Sequence, residues 1–136
     1  MLTKQYIKDL NYKIVAAAIE VHKHLGPGLL ESIYEECLYE ELVIQGLNPQ
    51  RQVPVPVIYK GKQVKDDLKI DLLVNDIIIV ELKSVIEMHP IFTAQMLTYL
   101  KLADKPKGLL INFNVEKLVD GIIPLVYNKY INIPDK

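Results

Sequence analysis

Three charged residues in the segment KIDLLVNDIIIVELKS have the types and the spacing that a hydrolytic metal site requires. Asp71 lies near the middle of one predicted strand, and Glu81 and Lys83 lie two positions apart on the next, so the last two point to the same face. Two carboxylates can hold a hard divalent ion that lowers the pKa of a bound water and bridges a scissile phosphate, while a lysine orients that water or balances charge. The spacing alone leaves a second interpretation open, in which an acid and a lysine form a weak ion pair on an exposed edge strand.

The turn between the two strands decides whether both carboxylates can share an ion. A strict two-residue turn at Asn75 and Asp76 would place Asp71 opposite Val80, so that Asp71 and Glu81 would point to opposite faces of the sheet. Metal binding by both acids requires a three-residue connection or a bulge instead. We therefore predict that Asp71 faces Glu81 across the hairpin.

Hydrophobic periodicity and turn residues predict the elements that must position these side chains. Apolar residues at steps of three and four indicate helices over residues 4–25 and about 29–45, with a third helix after His89-Pro90. Stretches rich in β-formers and separated by turn residues predict strands, at residues 53–59, 64–74, 77–83, 108–113 and, as a possible edge strand, 122–127. Pro54 and Pro56 place the first of these strands at a sheet edge.

The order of these elements indicates the fold class. Helix, helix, three strands, helix and strand, written α-α-β-β-β-α-β, combine antiparallel hairpins with a helical crossover. We therefore predict an α/β or α+β fold with a mixed central sheet and flanking helices. The length of 136 residues fits a single domain over residues 1–136.

A glutamate stands in the first turn of the second predicted helix, within the stretch GPGLLESIY. An anion at the start of a helix is favoured by the macrodipole, so capping alone would explain Glu31. On a helical projection Glu31 lies with Tyr34, Leu38 and Leu42 at the edge of the apolar stripe, leaning toward the sheet. We therefore expect Glu31 to complete the acidic site as a third carboxylate, and Tyr34 to orient it by a hydrogen bond.

The two acids and the lysine, between a preceding helix and a following helix and strand, resemble the PD-(D/E)XK nuclease superfamily. Gly28-x-x-Glu31-x-x-Tyr34 matches the signature of the GxxExxY protein family, which is assigned to that superfamily. Further segments resemble the same family, namely HKHLGPGLLESIYEECL, VELKS, QMLTYLKL and GLLINFN. The resemblance covers residues from about 14 to 114, and the combination of motifs is specific.

The resemblance implies a restriction-endonuclease-like fold and a nuclease that depends on Mg²⁺ or Mn²⁺. The implied catalytic residues are Asp71, Glu81 and Lys83, and to these we add Glu31 on the basis of its helical projection. The ion would be held by the three carboxylates and by the backbone carbonyl of Leu82, which are hard oxygen ligands. The substrate would be DNA or RNA. The alternative is a catalytically inactive module that keeps the fold and binds nucleic acid or a protein partner.

Gln95 and Tyr99, four apart on the third predicted helix, resemble the Q-x-x-x-Y element of the recombination-exonuclease branch of the superfamily. Residues four apart share one face of a helix. The resemblance implies that Gln95 contacts a phosphate or a metal-bound water with Tyr99 beside it, and Tyr34 joins them as a substrate-binding candidate. The alternative is that Gln95 caps a loop and Tyr99 packs at the edge of the core.

Composition limits the remaining function classes. Lys and Arg total 16 against 17 Asp and Glu, which excludes a broad basic surface, so any nucleic-acid contact must be local. The single cysteine, Cys37, provides neither a disulfide framework nor a thiolate metal site. No segment has the roughly 20 apolar residues of a membrane helix or the pattern of a secretory leader, so we expect a cytoplasmic protein without membrane contact. A homodimer would suit a small nuclease that cuts both strands.

Overall fold

A computed structural model describes residues 1–65 and 68–136 of the chain. Within these residues, helices pack on both faces of a five-stranded sheet, and a further hairpin forms its own two-stranded sheet. In chain order the elements are α1 (Lys4–Leu25), α2 (Glu31–Ile44), β1 (Pro49–Pro54), β2 (Val57–Tyr59), β3 (Lys62–Lys65), β4 (Lys69–Val74), β5 (Ile78–Lys83), α3 (Pro90–Ala103), β6 (Lys107–Asn112) and β7 (Ile122–Val126), with 3-10 helices at Leu118–Gly121 and Asn128–Asn132. None of the helices in these ranges has the length and apolarity needed to span a membrane.

The strand order of the larger sheet is β1-β4-β5-β6-β7. Neighbouring strands are antiparallel except β5 and β6, which run parallel. A parallel pair needs a long crossover connection, and α3 supplies it. The predicted mixed sheet with flanking helices is therefore confirmed, as are the edge positions of β1 and β7.

The two faces of this sheet carry different helices. On one face, Val80 of β5 belongs to a buried cluster with residues of α1 and α2. On the other face, Ile79 of β5 packs in a cluster with Met96 of α3. Because side chains alternate along a strand, Glu81 and Lys83 share the α3 face with Ile79.

The hairpin between β4 and β5 has a three-residue connection. Val74 pairs with Ile78, which leaves Asn75, Asp76 and Ile77 between the strands. Asn75 and Asp76 have φ of 52° and 59°, in the left-handed region that Asn and Asp tolerate better than most residues. The prediction of a three-residue connection is confirmed.

Two of the predicted strands are divided in the structure. The segment predicted at residues 53–59 ends its pairing with β4 at Pro54 and resumes as β2, because prolines at positions 54 and 56 have no N–H to donate to a ladder. The segment predicted at residues 64–74 becomes β3 and β4, and Asp66 and Asp67 between them lie outside the described residues. The β2–β3 hairpin is thus an addition to the predicted order, while the layers are unchanged.

The second helix begins two residues later than predicted, at Glu31 rather than Leu29. Before it, Gly26 and Gly28 have φ of 69° and 96°, angles that side chains disfavour, and they turn the chain tightly between α1 and α2. The turn brings the start of α2 to the end of β5, where Ser84 Oγ donates a hydrogen bond to the Leu29 carbonyl. The first turn of α2 is therefore anchored beside the strand that carries the candidate site.

Candidate metal centre

The acid pair, Asp71 and Glu81, is interlocked where the β4–β5 ladder ends. Leu72 pairs with Val80, and this register continued by one step places the two acids opposite each other. The Asp71 backbone N–H donates to Glu81 Oε1 at 3.0 Å, and the Leu82 N–H donates to Asp71 Oδ2 at 2.9 Å. Each carboxyl group therefore accepts a backbone hydrogen bond from the strand that carries the other, which fixes the two side chains beside each other.

The environment of Glu81 favours its protonated form. The residue is only 8% exposed, and burial, followed by the negative charge of Asp71, raises its pKa to about 8. The positive charge of Lys83 opposes this shift but does not cancel it. A bound cation would favour the ionised form, because its positive charge offsets both the burial and the neighbouring carboxylate. The positive charge near the acid pair is therefore too small to keep both carboxyl groups ionised at neutral pH.

Lys83 lies on the same face as Glu81 and is held by an aromatic ring. Its Nζ is 4.3 Å from the ring centroid of Phe92 at the start of α3, which is a cation–π contact. Its backbone carbonyl accepts a hydrogen bond from the Phe113 N–H at 2.9 Å, which ties the end of β5 to the end of β6. The lysine ammonium is thereby kept close enough to the acid pair to offset part of the rise in the pKa of Glu81.

The helix α3 brings a phenol to the acid pair. Burial, followed by the negative charges of Glu81 and Asp71, raises the pKa of Tyr99, so its hydroxyl lies within electrostatic reach of both acids. Tyr99 also packs at the margin of the core under α3, as the alternative interpretation of this residue expected. Gln95, one turn earlier on the helix, is exposed. The structure therefore brings Tyr99 to the acid pair and leaves Gln95 at the open surface.

Tyr34 belongs to the core. Its side chain is 0% exposed, and its ring stacks on that of Phe113 with the centroids 4.5 Å apart. Its hydroxyl donates to the Gly26 carbonyl and accepts from the Leu29 N–H. The expected hydrogen bond from Tyr34 to Glu31 is wrong, because the loop before α2 uses the hydroxyl. A fully buried ring also has no surface to offer a substrate, so in this structure Tyr34 fastens the loop.

Glu31 is exposed at the first position of α2. Among residues 1–65 and 68–136, no three His, Cys, Asp or Glu side chains are grouped closely enough to hold a metal ion. In this conformation Glu31 is therefore not assembled with the acid pair. It nevertheless follows closely on Leu29, whose carbonyl accepts from Ser84, the residue after Lys83. The first turn of α2 thus lies at the same end of β5 as the lysine.

The acid of α2 that faces the sheet is Glu35, which the sequence analysis did not select. It is 7% exposed, and its Oε2 accepts from Arg51 Nε at 3.2 Å and from Arg51 Nη2 at 3.1 Å. Its Oε1 accepts from Gln52 Nε2 at 2.6 Å, and the same amide nitrogen is 3.4 Å from Asp71 Oδ1. A chain of contacts therefore runs from α2 through Gln52 to the acid pair.

Gln52 reaches both acids from an unusual backbone position. Its φ is 49°, in the left-handed region that costs a residue other than glycine about 1–3 kcal/mol. The hydrogen bonds of its amide to Glu35 and Asp71 hold it there. One signal in the sequence pointed to this network, because Glu35 stands between Tyr34 and Leu38 in the buried stripe of α2. Its partners on β1 could not be identified from periodicity.

A comparison with protein families gives an independent result. The model of the PD-(D/E)XK nuclease superfamily matches residues 8–123 of the chain. Asp71, Glu81 and Lys83 all lie within that range. Neither a curated protein nor a solved structure shows a significant match to the chain.

The raised pKa of Glu81 predicts a pH-dependent loss of stability in the presence of EDTA. In the unfolded chain this carboxyl group ionises from about pH 4.5, whereas in the folded chain it ionises at about 8. The stability that Glu81 contributes is therefore complete below pH 4.5 and is lost progressively as the pH rises to about 8. Glu81→Gln removes this loss, so the variant should become more stable than the wild type by a few kcal/mol at pH 8.5, at roughly 1.4 kcal/mol per pKa unit.

Urea unfolding at several pH values measures this difference. The matched control is Glu87→Gln, which neutralises an exposed acid in the following loop and should leave the pH profile unchanged. If the free energy of unfolding has the same pH dependence in wild type and Glu81→Gln, the pKa of Glu81 is not raised in the folded protein.

Proposed function

The chain belongs to the PD-(D/E)XK nuclease superfamily, and we propose on that premise that it is a metal-dependent nuclease acting on phosphodiester bonds of DNA or RNA. The observation that carries the proposal is the interlocked acid pair, Asp71 and Glu81, with Lys83 on the same face of the sheet. All three residues of the superfamily's central motif are present and adjacent. The resemblance of the loop before α2 to the GxxExxY signature supports the same assignment.

Asp71, Glu81 and the backbone carbonyl of Leu82 fit a hard divalent ion. Each offers oxygen, the ligand atom that Mg²⁺ and Mn²⁺ prefer, and this donor set has no thiolate or imidazole to favour structural Zn²⁺. The raised pKa of Glu81 marks a position where a positive charge would be stabilised. When bound, such an ion supplies an activated water and neutralises charge at the scissile phosphate.

Side chains of the chain itself orient the reactants around the acid pair. Lys83, held by Phe92, orients the attacking water and balances the charge that develops on the phosphate. Tyr99 is protonated at neutral pH like any phenol, and burial and the nearby acids raise its pKa further, so its hydroxyl is available to donate to a phosphate oxygen. Gln95, exposed one turn earlier, offers its amide to the nucleic-acid backbone next to it.

Two glutamates of α2 have different roles in this proposal. Glu31 supplies a third carboxylate when the ion binds, because its side chain is exposed in the first turn of α2, at the same end of β5 as Lys83. Glu35 is a positioning residue, because its carboxylate is committed to Arg51 and to Gln52, which contacts Asp71. The orientation of the first acid is thereby held from α2.

The rival function is an inactive nuclease fold that binds nucleic acid or a protein partner. A degenerate site would be expected to lack the lysine or one acid, and this chain retains all three side chains. The complete set of three residues therefore favours the enzyme over the binding module. A twofold dimer, which would present two such sites to the two strands of a duplex, is part of the proposal for a double-strand-cutting activity.

A cleavage screen tests the nuclease directly. Single-stranded, duplex and branched DNA and RNA are incubated with Mg²⁺, Mn²⁺ or EDTA, and cleavage of at least one substrate should require the divalent ion. Asp71→Asn, Glu81→Gln and Lys83→Ala should each reduce the rate by at least about 100-fold, because each removes a ligand or a charge at the reacting phosphate. Lys101→Ala, which removes an exposed lysine from the last turn of α3, is the matched control and should retain activity.

Two outcomes would contradict the proposal that the chain is a nuclease with its active centre at the acid pair. Absence of cleavage on every substrate, combined with absence of metal binding, would favour the binding module. Cleavage that persists in all three variants would place the active centre elsewhere.

Glu31→Gln separates a metal role from a capping role. The substitution keeps the shape and removes the charge, and we expect metal-dependent cleavage to fall by about 10- to 100-fold or more. The free energy of unfolding should change by less than about 0.5 kcal/mol, because the side chain is exposed. Glu36→Gln removes an exposed acid from the same helix and should leave both quantities unchanged. A variant Glu31→Gln that loses stability and keeps its activity would show that this acid serves the helix dipole.

A further inference from the structure

The β2–β3 hairpin, residues 57–65, leaves the sheet at the end that carries the acid pair. The chain departs from β1 to form this hairpin and returns to β4, whose first residue, Lys69, lies two positions before Asp71. The Val55 N–H donates a hydrogen bond to the Leu68 carbonyl at 2.7 Å, which closes the base of the hairpin. The hairpin is therefore joined directly to the strand that carries the first acid.

The base of the hairpin lies on the α3 face of the sheet. Val55 is 2% exposed and belongs to the buried cluster that contains Met96 of α3, and Leu68 packs against the same cluster. Glu81 projects from this face as well, because side chains alternate along β5. The hairpin and the acid pair therefore share one face and one end of the sheet.

Burial in the core does not explain the sequence of the hairpin. Its apolar side chains Ile58, Tyr59 and Val64 are 55%, 61% and 50% exposed. Lys60 and Lys62 are exposed as well. A two-stranded ribbon of this kind gains little stability of its own, since stable sheets need a buried apolar face. The hairpin therefore presents a surface rather than a core.

This surface belongs to a positively charged segment in a chain whose net charge is −1. Residues 57–69 contain four lysines and two aspartates, namely Lys60, Lys62, Lys65, Lys69, Asp66 and Asp67. Both aspartates follow the hairpin, which itself contains no acid. Because the chain has no broad basic surface, a contact with nucleic acid must be local. The hairpin combines a local positive charge with a position beside the acid pair.

The lysine at the tip of the hairpin occupies a backbone position that does not favour it. Tyr59 pairs with Lys62, so Lys60 and Gly61 form a two-residue turn, with φ of 49° and 80°. A turn with positive φ at both central residues strongly prefers Asn, Asp or Gly at the first of them. The Lys60 Nζ is 5.4 Å from the ring centroid of Tyr59, which holds the ammonium group at the tip. A side chain in an unfavourable backbone position indicates a role other than folding.

We propose that the hairpin contacts the phosphate backbone of the nucleic acid whose scissile phosphate lies at the acid pair, through Lys60 and Lys62. The inference rests on the proposed function for the identity of the ligand. Ten residues of chain separate Gly61 from Asp71, and they span at most about 35 Å. That distance corresponds to about ten base pairs of B-DNA at 3.4 Å each. The hairpin therefore binds nucleotides that flank the scissile phosphate.

Fluorescence anisotropy with labelled 20-nucleotide probes tests the proposal. The probes are single-stranded DNA, single-stranded RNA and duplex DNA, titrated in EDTA so that binding is measured without metal-dependent cleavage. At least one probe should bind with a dissociation constant below about 100 μM at 100 mM salt, the range of sequence-independent backbone contacts.

Two hairpin variants localise the contact. Lys60→Asn and Lys62→Gln should each weaken the binding of that probe at least about 3-fold. Each should also lower the slope of log affinity against log salt concentration by about 1, because one phosphate contact is lost. Lys8→Gln and Lys13→Gln remove exposed lysines of α1, which packs on the other face of the sheet, and should leave affinity and slope unchanged.

Lys60→Asn also separates binding from folding. Asparagine tolerates the left-handed backbone position better than lysine, so the melting temperature should rise while the affinity for the probe falls. A lower melting temperature would contradict the argument that the lysine is unfavourable at this turn. Lys62 has no positive φ, and its replacement by Gln should leave the melting temperature unchanged.

The same measurements distinguish failure of this proposal from failure of the nuclease. Absence of binding for every probe, unchanged binding in both hairpin variants, or an equal loss in the α1 controls would overturn the role of the hairpin. Cleavage that accompanies any of these results would leave the nuclease standing. Binding that depends on both hairpin lysines, without cleavage of any substrate, would support the hairpin contact and refute the nuclease.

Discussion

Two carboxyl groups held side by side repel each other when both are ionised, unless a positive charge lies nearby. The arrangement around the acid pair follows from this constraint. Asp71 and Glu81 each accept a backbone N–H from the opposite strand, so neither can turn away to relieve the repulsion. Burial adds to the cost of a second charge, and Glu81 therefore keeps its proton to about pH 8. The fold maintains a site that a divalent ion would stabilise.

Several elements outside the hairpin keep this strained pair in place. The crossover helix α3 brings Phe92 over the Lys83 ammonium and Tyr99 toward the acids. The Tyr34 hydroxyl fastens the loop at the start of α2. One turn into the helix, Glu35 accepts a hydrogen bond from the side-chain amide of Gln52, and the same amide contacts Asp71. The helices α2 and α3 and the strand β1, which carries Gln52, are distant in sequence and thus act together on the two carboxyl groups. A substitution in any of these elements would change the orientation of Asp71 and Glu81 without removing either carboxyl group.

Sequence reasoning predicted the hairpin because chemistry and register constrain each other there. Asn75 and Asp76 indicated a turn, and the requirement that two acids share a face selected the three-residue connection over the shorter one. Prolines at positions 54 and 56 likewise predicted an edge strand, because a residue without an N–H cannot donate within a ladder. These features depend on local geometry, which the sequence encodes directly.

The parts that could not be predicted depend on partners far along the chain. Periodicity placed Glu31 near the buried stripe of α2, but it could not show that Glu35, one turn later, meets Arg51 and Gln52 on β1. The hydroxyl of Tyr34 was expected at Glu31 and is instead used by the loop of Gly26 and Leu29, because the tight turn folds that backbone onto the ring. A helical projection identifies a face, whereas the partner on that face is set by tertiary packing.

Calorimetry of Mg²⁺ binding at pH 7 can show whether the acid pair exchanges a proton for a divalent ion. The same titration in two buffers of different ionisation enthalpy yields the number of protons released. About one proton should be released per ion bound, because Glu81 is protonated at this pH before the ion binds. The release should disappear in Glu81→Gln, and binding should be lost in Asp71→Asn. Binding of Mg²⁺ without proton release, at unchanged affinity in both variants, would show that the ion does not bind at the acid pair.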